Sequence, residues 1–374
     1  PKSEWELQAC IEQAYTAANL AQAPNGELYP STMPGRKNMR VKVPVGLVGV
    51  IAPWNFPLLL SLRAILPALA LGNTVVLKPD PQSFFTGGVI ISELMAEAGL
   101  PENVLRLIPG GAEPGQTIVK HPDTGMIAFT GSTEVGKSII QALAGSSKKY
   151  TLELGGKAAN IIFEDAPIDQ AVEGIINSIF FNQGHVCCAG SRLYVQESVS
   201  KEIISKLKSR MENLILGDPL DKNTDIGAIN SKTQLEKIQM YLDIGVDEGS
   251  TIYQSTCTIP KKGYWCAPTL FTDMSQSHRL VQEEIFGPVL VIQTFRTIDE
   301  VIAKANNTPY GLSGGVWTDK GSKIFKISKD IRAGVIWANT FNKFDPTSPF
   351  GGYKESGMGR EGGLEGLLQY VNLY

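Results

Sequence analysis

Short apolar runs that stop at glycine, proline or asparagine alternate with amphipathic helical runs along almost the whole chain. Residues 46–51, 74–77, 104–108 and 125–129 read as strands, and residues 58–71, 87–98 and 135–143 as helices. Strands this uniformly apolar are covered on both faces, and a parallel neighbour can be reached only through a crossover. The pattern predicts a doubly wound parallel α/β sheet, in which ligands bind beyond the carboxyl ends of the strands. Asn55, Lys78 and Gly131 fall at such ends. From residue 160 the alternation resumes, with strands at 160–163, 289–295, 314–317 and 334–338 and helices at 168–181, 200–214, 231–248, 298–307 and 320–331. This is a second α/β unit. An amphipathic helix over 4–20, ended by Pro24, Asn25 and Gly26, precedes the first sheet, and residues 27–43 read as a surface hairpin.

The chain's 374 residues are enough for two domains with full cores. Its net charge is -3, with no basic stripe, which argues against nucleic-acid binding. The longest apolar stretch, 58–71, is broken by Arg63 and Pro67 and reads as a core helix, not a membrane span. Five cysteines without a CxxC spacing point to free thiols in a reducing compartment, hence the cytoplasm. The three histidines, His121, His185 and His278, are too scattered for a zinc site, so no metal is expected.

The chemistry concentrates in a few turns. Residues 181–192, Phe-Asn-Gln-Gly-His-Val-Cys-Cys-Ala-Gly-Ser-Arg, place two cysteines beside glycines between a helix and a strand. A thiol presented in a turn can act as a nucleophile if its surroundings favour the thiolate, although free cysteine is equally at home as a small buried hydrophobe. Residues 151–156, Thr-Leu-Glu-Leu-Gly-Gly, set Glu153 at a strand end. Residues 51–57, Ile-Ala-Pro-Trp-Asn-Phe-Pro, place Trp54 and Asn55 in a turn. Residues 129–136, Phe-Thr-Gly-Ser-Thr-Glu-Val-Gly, open a helix with glycines, where backbone N–H groups can approach a phosphate, although the sequence is not GxGxxG. Residues 283–288, Glu-Glu-Ile-Phe-Gly-Pro, add a carboxylate pair before a turn, and residues 348–357 form a glycine-rich loop.

These motifs, in this order from about residue 43 to residue 370, resemble the aldehyde dehydrogenase superfamily. The resemblance implies a Rossmann-type cofactor domain (1–25 and 45–155), a second α/β catalytic domain (156–357), and bridging or oligomerisation segments (26–44 and 358–374). It implies NAD or NADP as cofactor. Cys187 would be the nucleophile, with Cys188 at a variable position. Asn55 and the Cys187 N–H would stabilise the oxyanion, and Glu153 would activate the hydrolytic water. Ile51, Trp54, Lys78, Gly131, Ser132, Gly136, Leu154, Glu284 and Phe286 would hold the cofactor. Phe344 and Phe350 would wall the substrate tunnel. The partners implied are a small aldehyde and further copies of the chain, as a dimer or tetramer.

Two positions depart from the family pattern. Many NAD-preferring members carry Glu three residues after the lysine matching Lys78, and this chain has Pro81. Losing that carboxylate favours tolerance of NADP, or a preference for it. His185 replaces the usual Gln or Glu, and is expected either to stabilise a thiolate or to point elsewhere. Residues 57–60 and 78–81 look somewhat like benzaldehyde dehydrogenases, which favours aromatic or other apolar aldehydes. Conversion to an acyl-CoA is the rival enzymatic reading, and Glu153 speaks for hydrolysis instead. A non-catalytic relative with a scaffold role is the rival of another class. The chain starts at Pro1, and family members carry a further N-terminal portion of the cofactor domain, so a fragment is expected.

Overall fold

The computed structural model describes residues 2–23 and 26–374. The chain divides into two compact units. The first comprises residues 1–154, 344–351 and 357–374; the second comprises residues 155–343 and 352–356. Phe344 and Phe350, expected in the catalytic domain, thus belong with the first unit. Their rings pack there on each other, with Trp5 beside Phe344 and the Arg63 guanidinium over Phe350.

In the first unit, helix α1 (Lys2–Ala21) leads to an antiparallel hairpin of β1 (Gly26–Pro30) and β2 (Lys37–Pro44). Pro24 and Asn25, read as helix terminators, lie outside the described residues. Strand β2 also pairs with Val371–Leu373, which makes the hairpin a three-stranded sheet. The main sheet contains β3 (Leu47–Ala52), β4 (Thr74–Pro79), β5 (Leu105–Leu107), β6 (Thr124–Thr130) and β7 (Lys149–Glu153), all parallel, in the order β7-β6-β3-β4-β5. Gly357–Met358 pairs antiparallel with the outer edge of β7.

Alternate residues of β6 serve opposite faces. Met126 and Ala128 join Val48, Val50, Leu77 and α2 (Pro57–Ala70) on one side. Ile127 and Phe129 join α4 (Ala112–Lys120) and α5 (Thr133–Leu143) on the other, and α3 (Ile90–Glu97) covers the β4–β5 end. Two-sided burial is why these strands read as unbroken apolar runs. The strand order reverses between β3 and β6, so this unit has a topological switch point at their carboxyl ends.

The second unit holds a seven-stranded sheet of β8 (Ala159–Ile162), β9 (Arg192–Gln196), β10 (Thr251–Gln254), β11 (Thr269–Thr272), β12 (Val289–Phe295), β13 (Ser313–Trp317) and β14 (Val335–Ala338). The order is β10-β11-β12-β9-β8-β13-β14, parallel except for edge strand β10. Helices α6 (Ile168–Phe180), α7 (Ser200–Glu212) and α8 (Lys232–Asp247) are among those that cover it. Three loops enter the sheet on the same side, at residues 155–158 before β8, 181–191 before β9 and 283–288 before β12. Parallel pairing brings all three to the amino ends of their strands.

Candidate active site

In the first unit, a cleft of about 680 Å³ opens at the β3/β6 switch point. It is lined by Ile51 and Trp54 after β3, by Lys78, Asp80 and Pro81 after β4, and by Gly131 and Ser132 after β6. Five of the expected cofactor residues, Ile51, Trp54, Lys78, Gly131 and Ser132, therefore share one cavity. Gly136 and Leu154 are not part of its lining; Leu154 packs over Gly136 in the core. Ser132 is the N-cap of α5, its hydroxyl oxygen accepting from the Val135 N–H at 3.4 Å. A hydroxyl that accepts at a cap retains a proton to donate, and the helix start favours an anion. Lys78 is buried, its ammonium donating to the Pro79 carbonyl at 2.9 Å. Burial pulls its pKa below the usual lysine range, partly offset by Asp80. An anion arriving beside this ammonium would favour its charged form and oppose that shift. A dinucleotide fits these donors: a roomy cleft, a helix N-terminus with glycine and serine, and one buried cation.

Asp80 was not singled out in the sequence. Position 81 holds no carboxylate, but Asp80 supplies one to the same cleft while it caps the turn Pro81–Ser83 through the Gln82 N–H at 2.9 Å. The region is therefore not cleared of negative charge.

Asn55 is buried in the turn between β3 and α2. Pro57 at the first helical position needs no N–H partner. The next two amides, Leu58 and Leu59, donate to one Glu6 oxygen of α1 at 2.9 and 3.1 Å. The α2 N-terminus thus takes its carboxylate cap from a different helix, and this fixes the Asn55 turn. Trp5 and Phe56 meet edge to face at 5.8 Å beside this turn. Trp5 also reaches Phe344 at 6.3 Å, and Phe344 reaches Phe350 at 5.5 Å. Phe350 is buried, whereas Phe344 is 39% exposed. Glu153 ends β7 with 3% exposure, and its carbonyl accepts the Gly131 N–H at 3.0 Å. The cleft turn and this carboxylate residue therefore share a backbone bond.

In the second unit, Cys187 is the one partly exposed residue between Gly184 and Gly190; Cys188 is 1% exposed. The Cys188 thiol points to Asn342 Oδ1 at 3.6 Å, and its carbonyl accepts from Ser313 Oγ at 3.3 Å. The turn before them is strained. Asn182, Gln183 and Gly184 have φ of 51°, 56° and 74°, three left-handed residues in succession. Gln183 Oε1 anchors the turn by accepting the Gly227 N–H at 3.1 Å.

Gly156 joins this turn to Glu284. Its N–H donates to Glu284 Oε1 at 3.0 Å, and a Cβ on it would stand 2.3 Å from the Cys187 carbonyl oxygen. Only glycine allows that approach. The Glu284 carboxyl is pushed above the usual range, chiefly by burial and against the opposing pull of the Gly156 N–H. Burial likewise brings the fully enclosed Lys157 amine down to about 7. His185 is neutral: burial pushes it down to about 4. Its Nδ1 meets the Phe286 carbonyl at 2.8 Å and its Nε2 the Asn230 N–H at 3.4 Å. A neutral ring engaged in this way gives no positive charge to a thiolate, so the first of the two expectations for His185 is replaced by the second.

The model of the aldehyde dehydrogenase family matches residues 1–374. The chain belongs to the aldehyde dehydrogenase family. It is 42% identical over 372 residues to the mitochondrial aldehyde dehydrogenase of Leishmania tarentolae, covering 98% of this chain and 74% of that one. Its fold matches an NAD-dependent aldehyde dehydrogenase from Sinorhizobium meliloti with TM-score 0.96 and 37% identity, covering 100% of this chain and 74% of that one. It also matches a betaine aldehyde dehydrogenase from Staphylococcus aureus in complex with NAD+ with TM-score 0.97 and 36% identity, covering 100% and 77%. The chain thus spans about three quarters of the length of these relatives. It is an NAD(P)-dependent aldehyde dehydrogenase, with a Rossmann-like sheet and an aldehyde as substrate.

Proposed function

We propose that this aldehyde dehydrogenase oxidises aromatic and other apolar aldehydes to carboxylates, with Cys187 as nucleophile. The observation that carries this reading is the partial exposure of Cys187, just after a strained turn, while its neighbours from Gly184 to Gly190 are buried. The Cys187 thiolate adds to the carbonyl carbon, and the carbonyl π-electrons move to oxygen. Asn55 and the Cys187 N–H are the donors for that oxyanion, each commonly worth about 2.7–4 kcal/mol. When bound, NAD(P) would supply the acceptor for the hydride; the thiohemiacetal on Cys187 gives up its C–H electron pair as the oxyanion re-forms the carbonyl, and a thioester is left on the sulfur. Glu153 takes a proton from water as the water attacks the thioester carbon, and the thiolate departs with the C–S electrons. Gly131, Ser132 and Lys78 are the donors for the pyrophosphate and adenosine half of the cofactor, and Glu284 is the acceptor for the nicotinamide ribose.

The aromatic preference is supported by Trp5, Phe56 and Phe344 gathered beside the Asn55 turn. Phe344 is their exposed member and the one whose loss would be felt by substrate; Phe350 serves packing against Arg63. Asp80 in the cofactor cleft supports NAD over NADP, since a carboxylate repels a 2′-phosphate, and this reverses the leaning drawn from Pro81. A homo-oligomer joined through the sheet of β1, β2 and Val371–Leu373, in the cytoplasm, completes the reading. The five cysteines, none of them spaced as CxxC, support that compartment.

Reduced-nicotinamide absorbance with benzaldehyde and propanal, offered NAD and NADP separately, tests the proposal. Wild type and Cys188→Ala are expected to turn over and Cys187→Ala is not. Turnover surviving in Cys187→Ala would reverse the nucleophile assignment. No turnover by folded protein would favour the scaffold reading.

A further inference from the structure

The mechanism above gives no task to His185, yet its ring is tied into the second unit more closely than packing requires. It lies on the turn before β9, two residues from Cys187. Both nitrogens have partners on other elements. Nδ1 stands 2.8 Å from the Phe286 carbonyl, and the Asn230 N–H donates to Nε2 at 3.4 Å. A carbonyl can only accept and an amide N–H can only donate. These partners therefore define the neutral tautomer with its proton on Nδ1. The ring also stacks on the Phe286 ring at 5.6 Å and 26°.

Phe286 is an unusual residue to hold. Its φ is +60°, a conformation that costs a bulky side chain about 1 kcal/mol or more and persists only when its surroundings enforce it. Its carbonyl has two donors. Besides His185, Gln234 in the first turn of α8 gives an N–H at 2.9 Å, and the same amide nitrogen reaches the Ile285 carbonyl at 3.3 Å. Gln234 is itself fixed, because its backbone N–H is capped by Ser231 Oγ at 3.2 Å. Two residues before this clamped carbonyl sits Glu284, whose carboxylate accepts the Gly156 N–H. The path from Phe286 back to Glu284 is too short to absorb much movement. Releasing the Phe286 carbonyl would relax the left-handed turn and swing the carboxylate off Gly156.

We propose that His185 is a positioning residue for the cofactor: with Gln234 it clamps the Phe286 carbonyl in its left-handed turn and so fixes the aim of the Glu284 carboxylate. This rests on the reading of Glu284 as the nicotinamide-ribose acceptor. It assigns His185 a role in cofactor affinity, not in thiol ionisation. The ring stays neutral throughout the working pH range and contributes no step to the pH profile.

The test is a double-mutant cycle on the full chain, read as KM for NAD, KM for benzaldehyde, kcat and melting temperature. His185→Phe keeps the ring stacked on Phe286 and removes both hydrogen bonds. It is expected to raise KM for NAD about tenfold, the loss of roughly one good hydrogen bond's worth of positioning. KM for benzaldehyde should stay within about twofold, and the pH profile of kcat should keep its shape. His185→Gln, whose amide can still donate to the Phe286 carbonyl, should recover most of the affinity. Glu284→Gln should raise KM for NAD by itself, and adding His185→Phe to it should do little more, because both changes act through the same carboxylate.

If Glu284→Gln leaves KM for NAD unchanged, the assignment of Glu284 fails. If Glu284→Gln weakens NAD while folded His185→Phe does not, or if the two factors simply multiply, the positioning role of His185 fails alone. Should His185→Phe not fold, Gln234→Ala removes the other donor. It must raise KM for NAD with benzaldehyde KM preserved, and an unchanged value overturns the proposal.

Discussion

Replacing Gly184 by alanine is the sharpest perturbation of the nucleophile turn. The Gly184 φ is +74°, and a Cβ there would stand 2.1 Å from the Gly287 carbonyl oxygen, 2.4 Å from its carbon and 2.9 Å from the Pro288 nitrogen. All three are backbone atoms, so no rotamer change relieves the overlap. The two loops must part by roughly 1 Å to reach ordinary contact. Left-handed alanine costs about 1–2 kcal/mol and the overpacking about 1–3 kcal/mol, so Gly184→Ala should destabilise by roughly 2–5 kcal/mol. The displaced pieces are the Cys187 turn and the Glu284 loop. A misplacement of that size commonly costs about 10²-fold in rate. The assay pairs thermal melting with kcat/KM for benzaldehyde and NAD. The expected result is a melting temperature lowered by several degrees and, in the cold where the variant is folded, kcat/KM down about a hundredfold. Gly321→Ala, at a glycine with nothing within 4 Å of a Cβ, is the control. Wild-type melting and wild-type kcat/KM in Gly184→Ala would refute the argument that the two loops touch through this residue.

Other consequences follow from individual contacts. Asp80→Asn keeps an acceptor for the Gln82 N–H and removes the charge from the cleft; kcat/KM for NADP relative to NAD should rise about tenfold, and an unchanged ratio would remove Asp80 from cofactor discrimination. Glu6→Gln weakens the carboxylate cap on Leu58 and Leu59, and should cost about 1 kcal/mol in denaturant unfolding and lower kcat through the Asn55 turn; an unaltered midpoint would show that α2 starts without it. His185 also sets a pH dependence of stability. Its folded pKa, about 4, lies below the ordinary value of 6.5, so between those pH values the unfolded chain binds more protons. Stability present above pH 6.5 is lost as the pH falls towards 4, by about 3 kcal/mol from this group. The wild-type curve should therefore fall more steeply than that of His185→Gln across this window, and parallel curves would contradict the burial argument.

The parts of the fold that were legible are those governed by local chemistry. The strands of the first unit announced themselves because both faces are buried, and their helices because glycine, asparagine or proline closes them. Helix α4 was not anticipated: Pro114 and Gly115 in its first turns break the helical reading, though proline is harmless there because the first turn has no N–H partner to lose. Strand β10 was missed because it is an edge with little burial, and β11 because four residues carry no period. The motifs located Cys187, Glu153, Asn55 and the Gly131 turn, since glycine, proline and a strand end mark such places locally. Contacts made at long range left no local signal. Glu6 caps a helix 52 residues away, and His185 meets a carbonyl 101 residues away. Asp80 carries no signal in the sequence beyond that of any loop carboxylate, and its place in the cleft appears only once the chain is folded. The second unit gathers its loops at the amino ends of its strands, opposite to the usual rule for open sheets, because Gly156 and Gly184 let three loops approach there.

Covalent catalysis by Cys187 with hydrolysis by Glu153 is tested most directly by trapping the thioester. Glu153→Gln is mixed with benzaldehyde and NAD, quenched in acid, digested and analysed by mass spectrometry. One equivalent of reduced nicotinamide is expected in a burst, with a benzoyl group on the peptide carrying residues 181–192, attached to Cys187 and absent when NAD is omitted. A benzoyl group on Cys188, or steady turnover in Glu153→Gln with no acyl-enzyme, would contradict it.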